Sequence, residues 1–159
     1  DLGDRIESIQ NELRDLRRKQ EETQWESGLA ALEPLLKGAE ERAGVSVVAG
    51  AVEGDDAATL RSLGDAVRAR LGECVVLLAG RNPETGALAV VATATEAAVT
   101  AGIRAGDVMK AFTAPLGGKG GGRPQMAQGR APAPVGGPEE LEKAFALARQ
   151  GILETLASN

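Results

Sequence analysis

Residues 74–80, "CVVLLAG", are apolar at almost every position, and no other run restricts the fold as much. A strand with one wet face alternates apolar and polar side chains, so a strand without that alternation must be covered on both faces. Coverage on both sides calls for a layered α/β architecture. The neighbouring text supplies the layers. "VSVVAGAVEG" (45–54) is rich in β-branched residues and stops at a glycine, which predicts a strand. "DDAATLRSLGDAVRARLG" (55–72) then sets Leu60, Leu63, Val67 and Leu71 at helical spacing, with Asp55 or Asp56 as N-cap and Gly72 as terminator. Beyond the turn "RNPETG", "ALAVVATAT" predicts a strand that pairs with 74–79 as a hairpin. One crossover followed by a hairpin gives an α/β fold with a mixed β-sheet packed with helices.

Thr95 to Leu116 reads as one or two helical segments broken near Gly102 and Gly106, with Ile103, Val108, Phe112 and Leu116 as packing residues. "RPQMAQ" (123–128) adds a short strand, and "RAPAPVGG" is a Pro/Gly connection. From Pro138 a last helix offers Leu141, Ala144, Phe145, Ala148, Ile152 and Leu156 to close over the sheet. The length of 159 residues suits one such domain, 44–159, with an appended helical element. Trp25, Phe112 and Phe145 are the only aromatics. The core must therefore be built from Val, Leu, Ile and Ala, and modules that stack single strands on paired sheet aromatics are disfavoured.

That appended element is a helical arm, 1–43. Leu2, Ile6, Ile9, Leu13 and Leu16 are spaced 4, 3, 4 and 3, the alternation of a coiled-coil seam. Charged residues cover most of the remaining surface. The phase then shifts to Trp25, Leu29, Leu32 and Leu36. Two readings stay open: the first set is a dimerisation seam that meets a copy of itself, or it docks onto the chain's own domain. Gly28 weakens the helix, and Pro34 either kinks it or begins a second one; the apolar face continues to Ala43, and Gly44 ends it.

Five of the six residues 117–122 are glycine, the exception being Lys119. Residues 104–130 carry Arg104, Lys110, Lys119, Arg123 and Arg130 against Asp107 alone, a local +4 in a chain of net −5. Freed backbone N–H groups beside a guanidinium and an ammonium suit a phosphate. The stretch is either a flexible, charged surface loop, a nucleic-acid contact or a seat for a small phosphorylated ligand. Catalysis is poorly supplied. The chain has no histidine, which removes imidazole bases and His metal sites. Cys74 sits in the apolar run as a structural thiol, and no GxxxxGK[ST] loop occurs. Asp55 and Asp56 are explained by helix capping, so no metal site is expected. The start "DLGDRIES" is no signal peptide and looks like a cut from something longer; no run reaches membrane-spanning length. A cytoplasmic binding protein without a membrane partner is the expectation.

"GGKGGGRPQMAQG" at 117–129 resembles the glycine-rich motif of the DHHA1-type C-terminal (C-Ala) domain of alanyl-tRNA synthetases, a domain type also attached to DHH-family phosphoesterases. The preceding "AGDVMKAFTAPLGG" and following "GGPEELEKAFALARQGI" extend the likeness over most of 44–159. The resemblance implies a tRNA-binding and dimerising domain that engages the outer corner of tRNA(Ala), where the D and T loops meet. Aminoacylation and editing would reside in upstream domains of the parent alanine–tRNA ligase, and ATP, Mg and Zn with them; the fragment itself needs no cofactor and is no enzyme. The arm occupies the place of the segment that joins this domain to the editing part and contributes to dimer formation. Gly117, Gly118, Gly120, Gly121, Gly122 and Arg123 match the motif, and Met126, Ala127 and Gln128 its continuation. Gln125 stands where the family often has Asp, and Gly129 and Arg130 depart from the usual small residue and glycines; Arg130 adds a phosphate contact of its own. The expected nucleic-acid set is thus Arg104, Lys110, Gly117, Gly118, Lys119, Gly120, Gly121, Gly122, Arg123, Gln128 and Arg130. The alternative is a purely structural or homodimerisation domain without nucleic-acid contact.

Overall fold

In the computed structural model the described residues are 2–42, 44–54, 56–82, 84–133 and 137–157, leaving aside the side chains of Glu21, Thr23, Gln24, Trp25, Ser27 and Pro138. Asp55, Ala43 and the middle of the expected Pro/Gly connection, 134–136, lie outside them, as does the side chain of Trp25. In chain order the elements are α1 (Leu2–Lys37), β1 (Glu40–Arg42), β2 (Val45–Glu53), α2 (Ala57–Leu71), β3 (Cys74–Arg81), β4 (Leu88–Ala94), α3 (Glu96–Thr100), α4 (Ala105–Thr113), β5 (Lys119–Gly122), β6 (Met126–Ala131) and α5 (Pro138–Ala157).

Six strands form one sheet in the order β1-β2-β3-β4-β6-β5. Only β2 and β3 are parallel, as the crossover through α2 requires; the other neighbours are antiparallel. The apolar run that forms β3 is covered on both sides. Val75, Leu77 and Ala79 face the layer of α4 and α5, whereas Cys74, Val76 and Leu78 face α2 and the end of α1. Phe112 and Phe145 meet between α4 and α5 with ring centroids 4.6 Å apart, and an Arg149 guanidinium N–H donates to Ala49 O at 3.2 Å, tying α5 to β2. Gly72 ends α2 at φ +75°, its N–H donating to Arg68 O.

Four expectations are corrected. The break in the 95–116 segment falls near Gly102, between α3 and α4, but none falls at Gly106, which lies inside α4 next to Gly122. The short strand begins at Met126 rather than Arg123. The arm does not continue as helix to Ala43: α1 ends at Lys37, and Glu40–Arg42 pair with Val45–Val47. A three-residue, fully exposed, charged edge strand discourages further pairing. Finally, no second helix begins at Pro34, which lies inside α1. Pro34 forfeits one helical hydrogen bond, but close to the helix end, and docking holds the last turns in place. Leu32 is buried and Leu35 packs against Gly50, while Glu33 forms a 2.7 Å ion pair with Arg70 of α2.

Candidate nucleic-acid interface at a glycine edge strand

The glycine stretch is not a loop. Lys119–Gly122 is β5, the outermost strand, paired antiparallel with β6. Glycine is a poor strand former, so packing must account for it. A Cβ on Gly120 would stand 2.5 Å from Met109 Cγ, and one on Gly122 2.7 Å from Ala127 Cα. A Cβ on Gly129 of β6 would come within 2.7 Å of both Lys119 O and Met109 Sδ. Gly120 and Gly129 allow α4 to lie directly on the β5–β6 pair, and Gly122 allows β5 to close on β6. The helix runs antiparallel to β5, with Gly106 over Gly122, Met109 over Gly120, and Gly118 N–H donating to Thr113 O at 2.8 Å. Gly117 turns the chain into the strand at φ +74°. By contrast a Cβ on Gly121 would meet nothing within 4 Å.

Strand alternation sends Lys119 and Gly121 to the opposite face, together with Met126, Gln128 and Arg130. Lys119 is register partner of Arg130, and Gly121 of Gln128. α2 covers β3 and β4, but this part of the sheet is open: Lys119, Gly121, Gln128 and Arg130 are all exposed. A groove of about 380 Å³ runs between Lys119, Gln128 and Arg130 and the first residue of α2, Ala57. The N-cap Asp56 accepts from the Thr59 hydroxyl at 2.7 Å and makes no side-chain bond to a backbone N–H. The positive end of the α2 dipole therefore faces the two cations. Ala57 carries no chemical signal in the sequence; only the crossover brings it here.

The other expected cations lie around the same strand. Arg123 is exposed in the β5–β6 turn, closed by Arg123 N–H to Met126 O (2.8 Å) and Met126 N–H to Arg123 O (3.2 Å). Arg104 precedes α4 beside that turn, since Ala105 N–H donates to Pro124 O at 2.8 Å. Lys110 is exposed on α4, one turn beyond Gly106. Lys119, Arg130 and Gln128 thus share one face, Arg104 and Lys110 belong to the helical layer across the sheet, and Arg123 stands at the turn. The cations surround an edge rather than fill a face. Among the described residues no carboxylate forms an ion pair with any of the five.

On the arm, Leu2, Ile6, Ile9, Leu13 and Leu16 are 78%, 52%, 57%, 52% and 62% exposed. The chain's own domain does not cover them. Docking begins within the second apolar set: Leu29 is still exposed, whereas Leu32, Leu35 and Leu36 pack on the sheet and α2.

Among the described residues no group of three or more Cys, Asp or Glu could hold a metal ion, and no helix is long and apolar enough to cross a membrane. Cys74 is fully buried, and burial pushes its thiol up to about 11. The Glu73 carboxyl is held below its ordinary range by the Thr95 hydroxyl and the Ala97 N–H.

A six-stranded mixed sheet between two helical layers, edged by a glycine strand with exposed cations around it, defines an α/β domain. The chain belongs to the DHHA1 domain family, whose pattern matches residues 44–154, in the form carried by alanyl-tRNA synthetases. It is 35% identical over 151 residues, 95% of its length, to alanine–tRNA ligase 1 of Lachnoclostridium phytofermentans. To the alanine–tRNA ligase of Roseiflexus castenholzii it is 39% identical over 152 residues, 94% of its length. It spans 17% and 16% of the lengths of these relatives. The C-Ala domain from Aquifex aeolicus alanyl-tRNA synthetase superposes with a TM-score of 0.56 at 26% identity, covering 75% of this chain and 97% of that one. The DHH domain of a member of a ribosomal-protein family, at 14% identity and TM-score 0.50, shares the fold alone.

Proposed function

We propose that this chain is the tRNA-binding and dimerising C-terminal module of an alanyl-tRNA synthetase. It engages the outer corner of tRNA(Ala), while aminoacylation and editing belong to other domains of a cytoplasmic parent ligase, along with the ATP, Mg and Zn those steps use. The observation that carries this reading is the set of exposed cations, Arg104, Lys110, Lys119, Arg123 and Arg130, that no carboxylate among the described residues neutralises, around an edge strand almost free of side chains. An edge strand presents unpaired backbone groups, and with glycine at three of four positions a phosphate reaches them without obstruction. The net charge of −5 leaves no general attraction for RNA, so affinity must come from this local patch.

Titration of the chain with folded tRNA(Ala) and with an unstructured RNA of equal length tests the reading. Folded tRNA binds more tightly, and engagement of four or five cations gives a log–log salt slope of about −3 to −4.5. Arg123→Ala weakens binding and leaves the thermal transition in place. Equal affinity for both RNAs removes corner recognition, and absence of binding removes the tRNA function.

Self-association is proposed through the free half of α1. Ile9→Asp places a carboxylate in the seam and shifts a dimer to monomer in sedimentation equilibrium without loss of the sheet. A wild-type chain that stays monomeric at high micromolar concentration overturns it.

A further inference from the structure

We propose that two copies of α1 pair in parallel and in register along Leu2–Leu16, so that both sheet domains lie at the same end of the dimer. This rests on the self-association reading and adds the orientation. Five of the seven exposed large hydrophobics among the described residues lie on this one stripe. The residues of α1 that dock on the chain's own sheet, Leu32, Leu35 and Leu36, come after the phase shift. None of the described residues of the chain's own domain covers the stripe, and its coiled-coil spacing, with Ile6 and Leu13 at a and Leu2, Ile9 and Leu16 at d, fits a helix of the same kind.

Charge and layer count together decide the orientation. A parallel pair in register stacks all five apolar positions against themselves. It also sets Glu12 on one flank opposite the partner's Arg17, twice by symmetry, and Arg5 opposite the partner's Gln10, so that no like charges meet along this stretch. The antiparallel register centred between Ile9 and Leu13 keeps four layers but opposes Glu12 to the partner's Glu12 and Arg5 to the partner's Lys19. Sliding it to pair Ile6 with Ile9 and Leu2 with Leu13 brings Arg5 to Glu12, yet strands Leu16 in water on both copies. Like-charged flanks and uncovered seam residues both weaken a coil, and the parallel register alone avoids both.

Two measurements on the 159-residue chain test the orientation. The native Cys74 is fully buried and serves as a silent background. Under mild oxidation Leu16→Cys cross-links to itself as a covalent dimer, whereas an equimolar mixture of Ile6→Cys and Leu16→Cys gives no excess of the mixed species. In sedimentation, Glu12→Arg raises the dimer dissociation constant about ten-fold by opposing the partner's Arg17, and Glu12→Arg with Arg17→Glu restores it. A dominant Ile6–Leu16 mixed cross-link, or a charge swap that fails to restore a dimer weakened by Glu12→Arg, overturns the parallel pair while leaving self-association standing. A monomeric wild-type chain overturns both.

Discussion

Lys119 and Arg130 stand directly opposite one another across the β5–β6 ladder, on the same face and, among the described residues, with no carboxylate paired to either. Like charges at opposed positions cost sheet stability. Keeping two cations there favours an anion from outside over the strand's own pairing. Lys119→Glu is therefore expected to raise stability by roughly 0.5–1 kcal/mol through a new cross-strand pair while abolishing most tRNA affinity. Calorimetry beside an RNA titration checks it. Unchanged affinity with raised stability would leave the pair without a binding role.

The glycines of the edge divide into two kinds. Gly120 and Gly129 lie under Met109 with no room for a Cβ, but Gly121 points to open space. Gly120→Ala or Gly129→Ala should cost about 1–3 kcal/mol, because α4 must lift from the edge. Gly121→Ala should stay within about 0.5 kcal/mol. Urea denaturation of the three variants decides it, and equal effects would mean that α4 does not rest on β5 as described.

Leu35 and Gly50 lock the arm to the sheet: a Cβ on residue 50 would overlap both Leu35 methyl carbons. Gly50→Ala is expected to destabilise by about 1–3 kcal/mol. Removing the obstruction in Leu35→Ala should recover part of that loss, giving a double-mutant cycle with a coupling of about 1 kcal/mol. Additive losses would place the arm elsewhere.

Cys74 supplies a pH dependence whose sign follows from burial. Its thiol is raised from an ordinary 9.0 to about 11 in the folded chain, so the unfolded state loses its proton first. The contribution is fully present below pH 9 and lost as pH rises toward 11. Cys74→Val should flatten that limb of the stability profile in chemical denaturation. A limb that keeps its slope assigns the alkaline loss to other groups.

Much of the architecture is legible before any coordinates. The unbroken apolar run of β3 demands cover on both faces, and Leu60, Leu63, Val67 and Leu71 announce α2 by spacing alone. The antiparallel pairing of β3 with β4 follows from the short turn between them. Within the second apolar set the arm leaves solvent at Leu32, while Leu29 stays exposed. These are local signals, because periodicity and short connections act within a few residues of chain.

The tertiary structure alone decided the rest. Glycine's freedom looks the same in a loop as in a strand, and only the approach of Met109 and Gly106 from α4 turns Gly120–Gly122 into a sheet edge. β1 has no apolar pattern to reveal it; Glu40–Arg42 are ordered by the ladder that Val45–Val47 offers. The cations of 104–130 were visible as a charge excess. Their arrangement around both faces of β5, and the arrival of Ala57 beside Lys119 and Arg130, come from strand alternation and a crossover that joins residues far apart in the chain. Composition and spacing report what a segment must bury, whereas the neighbour against which it is buried is set by packing across the whole sheet.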